Sequence, residues 1–95
     1  MKDWPRLIKV VPIGGYRLRL TYSSGLTGDV DFSETVARGG IFTFMRNTER
    51  FKTVKIAYNG SALLWLDDDG DEIDFCADTQ RLAIEASQTH TFAAQ

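Results

Sequence analysis

One cysteine, one histidine and two prolines are all that this chain of 95 residues holds of the residue types that most often anchor chemistry or interrupt structure. The lone Cys76 excludes an internal disulfide and a cysteine-rich zinc site, and it suits a reducing compartment. His90, the sole histidine, sits in the polar tail, so no His pair for zinc and no histidine anchored beside a nucleophile can be assembled. Charge of one sign is scarce as well. Eleven Lys and Arg against 13 Asp and Glu leave a net charge of −2, which argues against a general polyanion binder, whose affinity grows with the phosphates it neutralises. No apolar run approaches the roughly 18–20 residues of a membrane span, and the segment Met1-Lys-Asp-Trp-Pro-Arg6 has no apolar signal core. These absences lead us to expect a soluble, cytoplasmic protein with no membrane partner.

What is present points to one small domain. With 43% apolar residues, residues 1–87 are expected to form a single domain and 88–95 a flexible C-terminal tail without pattern. The strongest local signature is the hairpin from Tyr16 to Phe32 around Ser23-Ser24-Gly25. If Gly25 takes the left-handed position of a three-residue loop, Tyr22 pairs with Leu26 and one register satisfies both faces. Tyr16 then meets Phe32, Leu18 meets Val30 and Leu20 meets Gly28 on one face, while Arg19 meets Asp29 and Arg17 meets Asp31 on the other. A slip of one residue would set Leu20 against Asp29 and Leu18 against Asp31.

Around this hairpin the remaining elements follow from period and punctuation. Leu7–Val11 reads as a β-branched strand ending at Pro12, and Ser33–Arg38 as a short helix capped by Ser33 and stopped by Gly39-Gly40. Ile41–Met45 and Thr48–Phe51 read as helical turns packing Phe42, Phe44 and Phe51 onto a sheet. Thr53–Tyr58 and Ser61–Leu66 flank Asn59-Gly60, the strongest short hairpin signal. Leu63–Leu66 is apolar on both alternating faces, so that strand is expected to be central or covered on both sides. Asp71–Phe75 reads as a last strand. Asp78 then caps a helix from Thr79 to about Ser87 with Leu82 and Ala86 as its apolar seam. The fold class expected is α+β: a single antiparallel sheet of about five or six strands containing both hairpins, with short helices, in the order β-β-β-α-β-β(-β)-α.

In that order the blocks resemble the bacterial family called domain of unknown function 2442. The likeness runs from about Leu7 to Leu82 and includes Val30-Asp31-Phe32, Gly39-Gly40 followed by an aromatic, Phe51 before a strand, and a strand ending at Trp65 before acids and glycine. Asp74-Phe-Cys-Ala-Asp-Thr79 is similar to that family's closing pattern, with Ala77 in place of the usual proline, while the turn after Trp65 is longer. The resemblance implies a fold more than a chemistry. For function it implies a protein partner, since relatives are often encoded beside small proteins and are suspected toxin–antitoxin partners.

The remaining residues offer few sites. The acids Asp67, Asp68, Asp69, Asp71, Glu72 and Asp74 around Gly70 invite a calcium reading, yet aligning Gly70 with the glycine of an EF-hand loop places Trp65 and Cys76 where acidic ligands are required. A solvated hairpin turn is the reading taken, with weak divalent binding left open. Cys76 is read as a small buried hydrophobe rather than a nucleophile. Arg17 and Arg19 are read as a solvent-face ion-pair ladder with Asp31 and Asp29. Tyr16, Tyr22, Phe42, Phe44, Phe51 and Trp65 are read as core rather than as a stacking platform for bases. No catalytic residue, cofactor or metal site is expected. The favoured function is a noncatalytic protein-interaction module, antitoxin-like, that binds another small protein, with Arg46, Arg50, Lys52 and Lys55 as candidate partner-binding residues. An accessory nucleic-acid-associated domain using the same basic residues is the alternative, and a small carboxylate-dependent enzyme ranks last.

Overall fold

The computed structural model describes residues 5–93, with side chains up to residue 87. Strands β1 (Leu7–Gly14), β2 (Arg17–Tyr22) and β3 (Thr27–Asp31) form one antiparallel sheet in the order β1-β2-β3. Helix α1 (Ser33–Arg38), a 3₁₀ segment (Gly40–Arg46) and helix α2 (Thr48–Phe51) lead to the second sheet, β4 (Lys55–Ala57), β5 (Ala62–Leu66) and β6 (Glu72–Cys76), in the order β4-β5-β6. Helix α3 (Ala77–Ala93) closes the described chain.

The expected single sheet is therefore two three-stranded sheets. β1 and β4 lie beside one another, but no ladder joins them. β1 continues through Pro12, which has no N–H to donate, and its pairing with β2 shifts between Leu7 and Lys9 and again between Pro12 and Gly14. β4 ends after three residues, because Tyr58, Asn59 and Gly60 all turn to positive φ. Both sheets nonetheless feed one core, in which Leu18, Leu20 and Tyr22 of the first meet Leu63 and Trp65 of the second. Phe32 ties the sheets together, with ring centroids 5.6 Å from Trp65 and 5.2 Å from Phe75.

The first hairpin forms in the expected register, with Leu18 opposite Val30 and Leu20 opposite Gly28. The Tyr22 N–H donates to Leu26 O at 2.8 Å, and Gly25 takes φ 96° in the loop. On the outer face Arg19 grips Asp29 through two bonds of 2.8 and 3.2 Å. That contact holds the Asp29 carboxyl below the ordinary carboxylate range. Arg17 sits opposite Asp31 in register, but the second expected ion pair is replaced by another bond. Asp31 Oδ1 accepts the hydroxyl and the N–H of Ser33, at 2.5 and 2.8 Å. Asp31 thus serves the start of α1, where Ser33 is the cap expected from sequence; the residue at that position is Phe32.

Helix α3 starts at Ala77 and continues through 88–93, part of the segment expected as tail. Its packing face is also displaced from the expected seam. Leu82 is 56% exposed and Ala86 is exposed, while Ala77, Gln80 and Ile84 turn inward. The cause lies on β3, where Gly28 leaves the space that Ile84 fills. A Cβ at Gly28 would stand 2.5 Å from Ile84 Cγ2.

Tyr22 fastens α3 to the first sheet. Its ring is fully buried and its hydroxyl donates to Ala77 O at 2.9 Å. Burial pushes this hydroxyl up from 10.0 to about 12. Its proton therefore leaves the unfolded chain first: the contribution is intact below pH 10 and is lost as pH rises through about 12. Tyr22→Phe is expected to lower stability by about 1–2 kcal/mol, since Ala77 O loses its buried donor. Denaturant titrations between neutral pH and pH 11 should show the alkaline loss flattened in the variant; an unchanged profile would contradict this role.

Candidate protein-interaction surface

The four basic residues singled out from sequence do not act as one cluster. Arg46 reaches back to α1, donating through Nε to Val36 O at 3.4 Å and through Nη2 to Ala37 O at 3.3 Å. It thereby satisfies carbonyls at the end of that helix. Arg50 bonds Asp68 and Leu66 O, the latter at 3.1 Å, and its guanidinium lies 5.6 Å from the centre of the Phe44 ring. Lys52 stands 3.5 Å from Glu49. Lys55 projects from β4 and is exposed. Of the four, Arg50 and Lys55 line one groove of about 220 Å³ with Thr53, Leu64 and Leu66.

That groove belongs to the outer face of the second sheet. β5 is central, as expected, but it is not covered on both sides: Leu66 is 43% exposed and Leu64 half-buried. The pairings place Lys55, Leu64 and Asp74 on one cross-strand row, Leu66 and Glu72 on the next, and Ala57, Ala62 and Cys76 on the row before. Tyr58, 54% exposed, donates its hydroxyl to Glu72. The Glu72 contact raises the Tyr58 pKa above its ordinary value. Leu64 and Leu66 are not among the site residues expected from sequence. The signal that could have found them is the double-sided apolar run itself, since a strand apolar on both faces needs a cover on each.

The acidic turn between β5 and β6 is organised by its own backbone. Asp67 Oδ1 accepts the N–H groups of Asp69 and Asp71, each at 2.9 Å. Carboxylate oxygens of Asp67, Asp69 and Asp71 lie within 4.8 Å of one another. A neighbouring hollow of about 480 Å³ runs between this turn and the 3₁₀ segment, with Arg50 against Asp68 in its wall. One Asp67 oxygen is already an acceptor for two amides, so divalent binding must compete with the turn. Calorimetry with calcium or magnesium is expected to detect no site tighter than about 10⁻⁴ M. A micromolar site abolished by Asp69→Asn would refute this.

Cys76 also departs from the expectation of a small buried hydrophobe. Its side chain is exposed rather than buried, because β6 turns it to the outer face while Phe75 points to the core. The backbone N–H groups of Thr79 and Asp78, at the start of α3, draw the thiol pKa below its ordinary value. The aromatic residues pack as expected: Tyr22, Phe44, Phe51 and Trp65 are buried, and Tyr16 and Phe42 pack against them. The His90 side chain lies outside the described residues. Among the described residues no helix is long and apolar enough to cross a membrane.

No protein-family model matches the chain, and comparison with curated proteins and with solved structures finds no match.

Proposed function

We propose that this chain is a noncatalytic protein-interaction module that docks through the outer face of β4–β6. The observation that carries the reading is the apolar strip formed by half-buried Leu64 and exposed Leu66, bordered by Lys55 on one side and by Asp74 and Glu72 on the other. An apolar centre with a charged rim is the arrangement by which proteins recognise one another. The motif likeness to domain of unknown function 2442 supports an antitoxin-like role beside a small protein partner in the cytoplasm. The nucleic-acid alternative draws less support, because Arg46, Arg50 and Lys52 each have a partner within the fold.

The test is affinity capture from the native host with wild-type protein and with Leu66→Asp, each with and without nuclease. Leu66 is partly exposed, so the variant is expected to remain folded. Recovery of one stoichiometric small protein that survives nuclease and is lost with Leu66→Asp supports the reading. A nuclease-sensitive mixture indifferent to Leu66→Asp overturns it.

A further inference from the structure

The outer face of β4–β6 is complementary to itself. Along one row the order from β4 through β5 to β6 is Lys55, Leu64, Asp74: a cation, an apolar centre and a carboxylate. Lys55 and Asp74 have no ion pair among the described residues, whereas the charges around them are engaged, Arg50 with Asp68 and Glu72 with Tyr58. The row beside it again has leucine on the central strand, with Leu66 opposite Glu72.

The register decides how two such faces can meet. A two-fold axis in the interface plane, perpendicular to the strands and passing through this row, would set Lys55 against Lys55 and Asp74 against Asp74. An axis running along β5 instead lays β6 of one copy over β4 of the other at the same height. Leu64 then meets Leu64, Leu66 meets Leu66, and each Lys55 meets Asp74 of the partner subunit. Strands related in this way stay near the alignment of packed sheets, whose directions differ by about 30°.

We infer that the chain self-associates as a symmetric dimer through this face, its axis running along β5 and a Lys55–Asp74 pair closing each side. The contact is isologous, since one patch serves both subunits. The inference rests on the outer face being the docking surface and adds the identity of one occupant, a second copy of the chain.

Sedimentation equilibrium between about 1 μM and about 1 mM tests it on the full chain, with circular dichroism confirming that each variant is folded. Wild type is expected to dimerise. Lys55→Glu alone and Asp74→Lys alone should each weaken dimerisation at least about tenfold, because each places like charges on both sides of the axis. Mixing the two variants should restore association. In the mixed dimer the introduced carboxylate of one subunit faces the introduced ammonium of the other, while the remaining wild-type Lys55 and Asp74 still meet. A monomer up to about 1 mM, a dimer indifferent to both reversals, or a mixture that fails to recover would overturn the dimer. A monomer whose capture of another protein is still lost with Leu66→Asp overturns the dimer alone and leaves the docking face standing.

Discussion

Replacing Trp65 with alanine is expected to cost about 3–5 kcal/mol of folding stability. The indole is 1% exposed and lies where the two sheets share their core, with ring centroids of Phe32 at 5.6 Å, Phe51 at 5.6 Å and Phe75 at 5.4 Å. Its Nε1 donates to Phe51 O at 2.9 Å. Truncation therefore removes more than apolar volume. It opens a cavity among three rings and leaves a buried carbonyl without its donor, and the second loss adds about 1–3 kcal/mol where water cannot replace the partner. A small domain has roughly 5–15 kcal/mol to lose, so the variant should unfold at a much lower urea concentration with its slope unchanged. Trp65→Phe should recover much of the ring packing but none of the hydrogen bond, and fall between the two. A loss below about 1 kcal/mol for Trp65→Ala would show that Trp65 does not hold the sheets together.

The parts of this fold that are legible from residues are those in which local chemistry and core demand agree. The Tyr16–Phe32 hairpin is readable because a single register both buries Leu18 and Leu20 and sets Arg19 beside Asp29. The helical turns after Gly39-Gly40 are readable because Ile41–Met45 and Thr48–Phe51 are apolar and aromatic without strand alternation. The partition into two sheets is not. Whether β4 continues the ladder of β1 depends on contacts distant in sequence, and both hairpins look alike locally whether or not their edges join. The face of α3 is hidden for a related reason. Leu82 and Ala86 are helically spaced, but the surface that receives the helix is shaped by Gly28, and an absent side chain leaves no mark in the helix that packs on it. At the candidate site the basic residues are visible in the sequence but their partners are not. Arg46 is drawn to the carbonyls of Val36 and Ala37 and Arg50 to Asp68, neither of which charge counting can place. Leu64 and Leu66 are visible as hydrophobes, and only the side of the sheet on which each lies separates them from Leu63 and Trp65.

Gly60→Ala is expected to rival the loss of Trp65, although it adds a single methyl group. The sequence predicts a two-residue turn at Asn59-Gly60, but the loop between β4 and β5 carries three successive positive φ values, at Tyr58, Asn59 and Gly60. Gly60 has φ +87°, and a Cβ there would stand 2.8 Å from the carbonyl oxygen of Leu7 and 2.8 Å from Arg6 Cβ. The conformation alone costs a non-glycine residue about 1–3 kcal/mol. The steric contact adds roughly 1–3 kcal/mol, because the obstacle includes backbone at the start of β1 and cannot rotate away. Gly70, in the acidic turn, separates the two contributions. Its φ is +84°, nearly the same, and nothing lies within 4 Å of the position its Cβ would take. Gly70→Ala should therefore show the conformational cost by itself, and the difference between the two variants in denaturant midpoint measures how tightly the second hairpin is pressed against β1. Equal losses at the two positions would mean that β1 yields freely, and that the approach of Gly60 to Leu7 does not help to hold the two sheets together.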